Sequence, residues 1–469
     1  MRKIKIAIVG GGVAGATSAI YLAKLGLDVT LFERESSLVS GPPFCHLHAG
    51  GNLYREISDE QCIKLLKQSI DFLKFYPFVV DYRPTVIALP STDKQSPKQL
   101  LLRLKLLTKE YERLIEKDSS NQVLGEPREY FRLYSREDLE RLKSKNVPTK
   151  PKDSDEWMVA VSQNLDFETV QFPLILVQEY GLNLFRLASG ATLILENMKN
   201  VTLKRDTEVT NIQREEEGWL VGYNNKQESF DYLINSAGFR TGKIDDMLGV
   251  PCKRMVEFKA AYVSHWKSKE QTPFPEIIFH GERGTPQGMG QFTPYPNGYF
   301  QLHGMTNSIT LYDDGLVANT SFSCQPKLKK KFIEKIEKSW SQEEIEERTK
   351  LAIEHLSRFI PNFSEATVGS KPLFGAQQIP GDDPTLRVAE VSFPTRAYAR
   401  CEIVKVSSVV DMVKAIKNNL IELEYIENVE ENISFSSELL EEQIDSLAQM
   451  ICRQRDYPSS LGCLNINIS

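Results

Sequence analysis

Three glycines near the start of the sequence have the spacing of a turn that binds a pyrophosphate group. They are Gly10, Gly12 and Gly15. The first permits a tight turn, the second lets a ligand approach the backbone because it has no side chain, and the third lets a helix pack closely against a sheet. Glu33 follows at close to the ~20-residue distance expected for an acid that accepts hydrogen bonds from ribose hydroxyls. The spacing therefore predicts a dinucleotide site.

A second group of reactive residue types lies in the loop over residues 40–53. The loop contains Cys45, His46 and His48, and so holds two of the six histidines of the chain. Its glycines and prolines argue against a helix or strand, and a long loop inside a compact domain is usually functional. Three candidate ligands within four residues cannot easily close a tetrahedral metal site, and no second Cys/His cluster lies nearby. We therefore predict no bound metal.

The pattern of apolar residues predicts the elements that position the glycine turn. Residues 4–9 form an apolar strand, an alanine-rich helix runs from the turn to Leu25, and residues 28–33 form a second strand that ends at the acid. The N-terminus of the helix would present free N–H groups and a partial positive charge to a pyrophosphate. Because position 33 is an acid, a 2′-phosphate is disfavoured, and the expected ligand is FAD or NAD rather than NADP. A glycine turn in an ordinary α/β sheet is the alternative.

The alternation of strands and helices that is typical of a nucleotide-binding domain stops near residue 78 and resumes near residue 166. After residue 33 we expect helices over 59–75, 97–117 and 183–196, and a further helix that begins at 136. We expect strands over 79–80, 85–89, 201–203, 207–212 and 219–223, a buried strand over 230–238 that ends in a small residue and a glycine, and a polar loop over 146–155. Further on we expect a β-rich segment over 251–320, a helical segment over 325–360, a strand over 368–376, a helix ending near 416 and a helix over 437–452.

Composition restricts the class of protein. The 469 residues, 41% hydrophobic and 26% charged, predict a soluble globular enzyme of two domains with appendages, and the net charge of −6 gives no electrostatic case for nucleic acid. Seven cysteines without a CxxC pattern fit a reducing cytosol and argue against a cysteine-ligated iron–sulfur cluster. From the strand that begins at residue 4 we expect no signal peptide, and the sequence contains no apolar run of ~18 residues that would predict a membrane span. We expect a cytoplasmic protein, with peripheral membrane association as an alternative.

Together these motifs resemble those of the FAD-dependent oxidoreductases with the D-amino-acid oxidase/glycerol-3-phosphate dehydrogenase fold. That family includes sarcosine and dimethylglycine dehydrogenases, 2-hydroxyglutarate oxidases and malate:quinone oxidoreductases. The resemblance is carried by the turn over 10–15 with Glu33-Arg34, by His48-Ala49-Gly50-Gly51, by 207–212 with Gly218-Trp219, and by Asn235-Ser236-Ala237-Gly238 with Met247-Leu248-Gly249. It covers residues 1–60 and 166–250 well and the substrate half poorly.

The resemblance implies an α/β fold class, in which a Rossmann-type FAD-binding domain carries an inserted α+β substrate domain built on a β-sheet. The implied boundaries are 1–77, 166–250 and 376–420 for the FAD-binding domain, 78–165 for an inserted segment, 251–375 for the substrate domain, and 421–469 for an acidic C-terminal helix and tail.

The resemblance also implies the residues that hold FAD. They are Gly10, Gly12, Val13, Ala14, Gly15, Glu33, Arg34, His48, Ala49, Gly50, Val209, Ala237 and Gly238. In the family, the residue matching Glu33 binds the adenosine ribose, the backbone matching Val209 contacts the adenine, and the loop matching 45–52 runs under the flavin. His48 resembles a histidine that dimethylglycine-type enzymes bond covalently to the flavin. The alternative is a histidine that only hydrogen-bonds the cofactor or the loop.

The function implied is oxidation of a small anionic substrate, a 2-hydroxy acid or an amino acid, by hydride transfer to flavin N5. Oxygen, a quinone or a carrier protein would then accept the electrons. Candidate catalytic and substrate residues are His303 as a base, Arg396, Arg400 and Lys405 as cations, and Arg283, Tyr295 and Tyr299 on the predicted sheet. A buried structural histidine and surface salt bridges are the alternatives for these residues. The alternative functions are a flavoprotein with structural or sensory FAD and an NAD-dependent dehydrogenase, although the latter would need more β/α units before residue 78.

Overall fold

The apolar strand and the glycine turn form the predicted strand–helix–strand unit in a computed structural model of the chain. The structure describes residues 4–41, 57–386, 389–428 and 439–465. Its helices are α1 (Val13–Lys24), α2 (Asp59–Phe75), α3 (Lys98–Lys117), α4 (Arg136–Lys143), α5 (Ser154–Asn164), α6 (Leu184–Asn197), α7 (Thr241–Leu248), α8 (Lys330–Glu337), α9 (Gln342–Ser357), α10 (Val409–Glu422) and α11 (Glu441–Gln454).

The strands complete this set of elements. They are β1 (Lys5–Val9), β2 (Asp28–Phe32), β3 (Val80–Asp81), β4 (Thr85–Pro90), β5 (Phe131–Tyr134), β6 (Val170–Val177), β7 (Gly181–Leu182), β8 (Val201–Lys204), β9 (Val209–Glu215), β10 (Gly218–Tyr223), β11 (Lys226–Phe230), β12 (Tyr232–Asn235), β13 (Arg254–His265), β14 (Glu276–Phe279), β15 (Gly290–Tyr295), β16 (Tyr299–Gly304), β17 (Leu316–Ala318), β18 (Thr367–Pro380), β19 (Val391–Thr395) and β20 (Tyr398–Cys401).

The first sheet is built around β1. Among the described residues its strand order is β19-β20-β12-β1-β2-β8, and all neighbours are parallel except β19 and β20. Strands of a parallel sheet are buried on both faces, which explains why β1 reads as a continuous apolar run. Helix α1 packs on this sheet and against α10 and α6. The predicted α/β class with a Rossmann-type sheet is therefore confirmed.

The second sheet combines segments that are far apart in the sequence. In the described part of the chain its order is β17-β13-β16-β15-β14-β4-β6-β5, and β18 pairs with β13. One face is apolar: Phe292, Leu302 and Leu176 pack with α5 and α9. Alternate residues of the same strands put polar side chains on the opposite face, because successive residues of a strand point to opposite sides. This polar face is turned toward the first sheet.

The structure differs from the sequence expectations in three places. Strand β6 still pairs with β4 and β5, although the nucleotide-binding pattern was expected to return near residue 166. Helix α5, capped by the Asp153 side chain, follows the predicted polar loop, where no helix was expected. The helical segment over 325–360 is two helices, because Ser341 caps a new helix, α9, after α8 has ended. By contrast, α2 has the predicted bounds, and the capping box expected at Ser135 is present.

Helix α11, which was predicted from an apolar stripe, packs on α6. The Arg186 side chain of α6 is fully buried and pairs with Glu441 and Asp445 of α11, and its Nε donates to the Phe78 carbonyl at 2.7 Å. The Ser189 hydroxyl also donates to the α11 backbone. A buried guanidinium needs such partners, because an unpaired buried charge is strongly destabilising. These contacts attach α11 to α6, which in turn packs against α1 beside the first sheet. In the part of the chain that the structure describes, no helix combines the length and the apolar character needed to cross a bilayer.

The buried imidazole of His355 on α9 should make stability depend on pH. Its Nδ1 accepts from Arg358 Nη2 at 2.8 Å, since a guanidinium can only donate, and its Nε2 donates to the Gly288 carbonyl at 3.0 Å. Burial, helped by the Arg358 charge, lowers the pKa of His355 to about 4 from an ordinary 6.5. The unfolded chain takes up the proton first as pH falls, so stability present above pH 6.5 is lost toward pH 4.

We expect the wild type to lose roughly 2 kcal/mol more unfolding free energy than His355→Gln between pH 7 and pH 4.5. Urea unfolding of both proteins at each pH measures this difference, and carboxylates shared by the two proteins cancel from it. Equal pH dependence in the two proteins would show that the imidazole does not titrate in this way.

Candidate active site

A cavity of about 900 Å³ lies between the glycine turn and the polar face of the second sheet. Its wall is formed by the turn after β1, the ends of β2 and β12, strands β13, β15, β16 and β18, the segment after β20, and the residues that follow α11. A volume of this size is at the upper end of the range typical of cofactor and ligand sites. The cavity joins the two sets of residues that the sequence singled out separately.

The three glycines of the turn have three different packing environments. Gly10 has a φ of 100°, and a Cβ on it would lie 2.5 Å from the Ser236 carbonyl oxygen. A Cβ on Gly15 would lie 1.8 Å from the Gly10 carbonyl oxygen, so the helix could not approach the turn. A Cβ on Gly12 would meet nothing within 4 Å, because this position opens into the cavity. The turn thus leaves room at Gly12 for a ligand, and the first N–H groups of α1 face that room.

Glu33 ties the glycine turn to the end of β2. Its side chain is 6% exposed; Oε2 accepts from the Gly11 backbone N–H at 2.5 Å, and Oε1 accepts from the Glu35 N–H at 2.7 Å. Burial raises the pKa of its carboxyl above the ordinary value, against the opposing effect of these two N–H groups. The sequence predicted a ribose-binding acid here, but it did not reveal that the same carboxylate fixes the turn.

Most of the predicted cofactor residues line the cavity. They are Gly10, Gly12, Val13, Ala14, Glu33, Arg34, Val209, Ala237 and Gly238. Gly15 lies behind the turn, where it permits the close packing described above. His48, Ala49 and Gly50 lie outside the described residues, as do Cys45 and His46. Within the described ranges, no cluster of three or more His, Cys, Asp or Glu residues could hold a metal ion.

Helix α8 closes the end of the cavity next to Arg34. Glu337 of α8 accepts from Arg34 Nη1 at 3.4 Å and also pairs with Arg240. Arg34 pairs in addition with Glu35 at 2.5 Å. These charges leave the cavity wall nearly neutral here, which suits an adenosine better than an extra phosphate. Together with the open position at Gly12, this arrangement fits a dinucleotide such as FAD.

At the opposite end, the polar face of the second sheet supplies a histidine. His303 on β16 is 8% exposed and lines the cavity. Its Nδ1 lies 2.8 Å from Oε1 of Gln291, which the antiparallel register places directly opposite on β15. A histidine held in this way can take a proton from a substrate.

Cations stand on the same wall. Lys259 Nζ lies 2.7 Å from Glu257 Oε2 and donates to Gln377 at 2.9 Å, and Arg283 pairs with the other oxygen of Glu257. Lys405, in the segment before α10, also lines the cavity. Arg283 and Lys259 both contact the carboxylate of Glu257, so this part of the wall brings two cations together.

The structure places the other candidates from the sequence away from the cavity. Arg396 is exposed on the hairpin between β19 and β20. Arg400 turns into a buried cluster, where Nη1 lies 3.4 Å from Asp245 and Nε lies 2.9 Å from Glu402. Glu402 is a near neighbour in sequence, but Asp245 is 155 positions away, so the pairing of Arg400 with Asp245 could not be inferred from its neighbours. Tyr295 bonds Gln301 at 3.4 Å, and Tyr299 stacks on His265.

The sequence did not indicate that the residues after α11 form part of the cavity wall. Arg455 donates to the Ser37 hydroxyl at 2.8 Å and to the Leu38 and Val39 carbonyls at 2.6 and 3.1 Å, and Tyr457 also lines the cavity. The apolar stripe of α11 predicted that one face of this helix is buried. It did not indicate which other element the helix packs against.

Comparison with known proteins gives a family match over most of the chain. A protein-family profile described as DAO, FAD dependent oxidoreductase, matches residues 5–384. Glycine oxidase from Geobacillus kaustophilus superposes with a TM-score of 0.57 at 11% identity, covering 93% of this chain and 100% of that one. L-α-glycerophosphate oxidase from Mycoplasma pneumoniae, solved with FAD bound, gives 0.55 at 16% identity, covering 94% and 100%.

A sequence relative covers a much smaller part. Thiamine thiazole synthase from Pyrobaculum aerophilum is 33% identical over 102 residues, which is 22% of this chain and 33% of that protein. The match therefore spans about a third of the relative's length. It supports no inference about the activity of the whole chain, and the two solved structures show a shared fold.

Proposed function

We propose, from the premise that the chain belongs to the DAO family of FAD-dependent oxidoreductases, that it oxidises a small anionic substrate, an amino acid or a 2-hydroxy acid. The family establishes an oxidoreductase that uses FAD. It also sets aside the NAD-dependent dehydrogenase considered from sequence. The two solved neighbours are named for glycine and α-glycerophosphate, which are both small molecules with an anionic group.

The observation that carries the proposal is that His303 and the cations Arg283, Lys259 and Lys405 line the same cavity as the glycine turn. Arg283 and Lys259 face Glu257 together, and a substrate carboxylate would complete this charge cluster. A charge-assisted, bidentate bond from Arg283 would both hold and orient that carboxylate. Lys405 adds a further cation to the residues that line the cavity.

Oxidation of an alcohol or amine carbon removes a hydride and a proton. FAD, when bound, supplies the acceptor for the hydride. His303 takes the proton from the substrate hydroxyl or ammonium at its Nε2, and the C–O or C–N single bond becomes a double bond. The cations fix the substrate so that its reacting carbon and its acidic proton are both positioned.

The experiment that tests this function is anaerobic reduction of the bound flavin. Amino acids, 2-hydroxy acids and α-glycerophosphate are added one at a time to the holoenzyme, and the absorbance near ~450 nm is followed. Bleaching by an amino acid or a 2-hydroxy acid supports the proposal. Bleaching by α-glycerophosphate alone would contradict an amino acid or 2-hydroxy acid substrate and would indicate a phosphorylated alcohol instead. A flavin that is inert to the whole panel would favour a structural or sensory role.

Replacing Arg283 with methionine should raise the KM for the anionic substrate. Loss of a charge-assisted hydrogen bond costs about 1.5–3 kcal/mol, which corresponds to roughly 10- to 100-fold in affinity. The Arg283 side chain is 38% exposed, so its loss should leave the fold intact. Steady-state kinetics of the FAD-loaded variant gives the change in KM.

Arg396→Met is the matched control, since it removes the same group from an exposed hairpin outside the cavity. Its kinetics should equal those of the wild type. If Arg396→Met raised KM and Arg283→Met did not, the assignment of the substrate cation would be reversed.

A further inference from the structure

A row of buried polar side chains runs away from His303 into the protein. It begins with the 2.8 Å contact between His303 Nδ1 and Gln291 Oε1. It continues from Gln291 Nε2, which donates to Glu276 Oε1 at 2.7 Å. Glu276 Oε2 accepts from Arg83 Nη1 at 2.7 Å. We refer to Gln291, Glu276 and Arg83 as the support row.

The protonation state of Glu276 follows from its partner. Its side chain is fully buried and Arg83 is 4% exposed, so the pair is shielded from solvent. A buried guanidinium keeps its charge, and a carboxyl at 2.7 Å from it is stabilised as the anion. An ionised carboxylate can only accept hydrogen bonds. The group of Gln291 that faces Glu276 is therefore the NH₂ group.

The orientation of the Gln291 amide then decides the tautomer of His303. Because the NH₂ group faces Glu276, the carbonyl oxygen of Gln291 faces the imidazole. A carbonyl oxygen can only accept, so the nitrogen that contacts it must carry the proton. In the neutral ring, Nδ1 is then N–H, and Nε2 holds the lone pair.

We propose that Gln291, Glu276 and Arg83 are positioning residues that hold His303 as the Nδ1–H tautomer, so that its Nε2 is the proton acceptor in the reaction. The role of Nε2 as proton acceptor rests on the proposed function. The assignment of the tautomer rests only on the contacts of the support row. The proton that leaves the substrate binds to Nε2, and the imidazolium that forms keeps its Nδ1–H bond to Gln291. The anionic Glu276 at the end of the amide stabilises that positive charge.

The far end of the support row is also fixed. Arg83 Nε donates to Asp81 at 3.1 Å, and Asp81 accepts from the backbone N–H of Asn465 at 3.2 Å and from its side-chain Nδ2 at 2.6 Å. The Arg83 guanidinium thus pairs with the carboxylates of Asp81 and Glu276, and these two contacts fix its orientation. Buried charges are costly unless each of them has a partner. The complete pairing of the charges in this row therefore fits a positioning role.

The test reads the tautomer directly by NMR. The holoenzyme is prepared with ¹⁵N-histidine, and His303→Gln identifies the His303 signals by their loss. In the wild type, at a pH where the ring is neutral, Nδ1 should give a protonated, pyrrole-type signal and Nε2 an unprotonated, pyridine-type signal. In Glu276→Gln the amide at 276 can donate or accept, so a mixture of tautomers is expected. Gln291→Leu should give the same loss of preference.

Gln301→Leu is the matched control for Gln291→Leu. Gln301 is also buried, on the neighbouring strand β16 and on the same face of the sheet, and its Oε1 accepts from the Tyr295 hydroxyl. This variant should keep the wild-type tautomer. If Gln291→Leu does not fold, the isosteric Glu276→Gln carries the test alone.

Turnover provides a second readout. In Glu276→Gln we expect kcat to fall by about tenfold with little change in KM, because base strength and orientation are lost while the substrate cations remain. An Nε2–H tautomer in the wild type, or an unchanged tautomer in both support-row variants, would overturn the inference. Full turnover by His303→Gln would instead reject the proposed function and leave the tautomer result standing.

Discussion

Replacing Gly12 with alanine should weaken the binding of FAD to the protein while leaving the fold intact. The backbone at Gly12 has φ −64° and ψ −175°, which alanine adopts freely, and its Cβ would meet no protein atom within 4 Å. Apoprotein stability should therefore change by less than about 1 kcal/mol. The methyl group would occupy the space in which the pyrophosphate approaches the turn. Overpacking of that kind costs about 1–3 kcal/mol, or roughly 10- to 100-fold in FAD affinity.

Gly15→Ala is the informative contrast, because the same methyl group meets the protein instead of the ligand. Its Cβ would lie 1.8 Å from the Gly10 carbonyl oxygen and 2.6 Å from the Ser236 hydroxyl. Backbone cannot move aside cheaply in a close-packed unit, so we expect a loss of about 3 kcal/mol or more in apoprotein stability. Thermal unfolding of the apoproteins and flavin titration of each variant separate the two effects. Destabilised Gly12→Ala apoprotein, or FAD-loaded Gly15→Ala of normal stability, would contradict this account of the turn.

Replacing His303 with glutamine should lower kcat by about 10²- to 10⁴-fold, the usual contribution of a positioned general base. Glutamine keeps a polar side chain of similar length opposite Gln291, so the sheet should remain ordered. The flavin spectrum should stay that of the wild type, because the glycine turn at the other end of the cavity is untouched. Single-turnover reduction of the flavin measures the chemical step without product release.

His265→Gln is the control for this result. His265 also lies on the second sheet, but it stacks on Tyr299 and does not line the cavity. Its turnover should match that of the wild type. If His303→Gln reduced its flavin at the wild-type rate, the general base would have to be another group. His303 would then have a structural role only.

The nucleotide end of the site could be predicted from sequence because its determinants are local. The strand, the turn at Gly10 and the acid at position 33 lie within one strand–helix–strand unit, and each has a steric or electrostatic reason that does not depend on the rest of the chain. The same holds for α2 and α4, because the residues that cap each helix and form its apolar face lie within or directly beside that helix in the sequence.

The substrate end could be predicted only in part, because it depends on strand register and on distant partners. Alternation marked His303 as facing one side of a sheet, but the register that sets it opposite Gln291 comes from pairing. Arg400 looked like a substrate cation by composition, yet Asp245, far away in sequence, pairs with it. The contribution of Arg455 to the cavity wall was equally hidden, since its partners are backbone carbonyls of residues 38 and 39.

The contact between Arg455 and Ser37 joins residues 418 positions apart in the chain. The segment around Ser37 therefore leaves the ribosome about 418 residues before Arg455, which belongs to the last part of the cavity wall. At about 5–20 residues per second, this delay is on the order of half a minute. The nascent chain therefore holds an unfinished cofactor cavity throughout that time. We therefore expect full FAD affinity only after the helix ending at Gln454 has docked and placed Arg455 in the cavity wall.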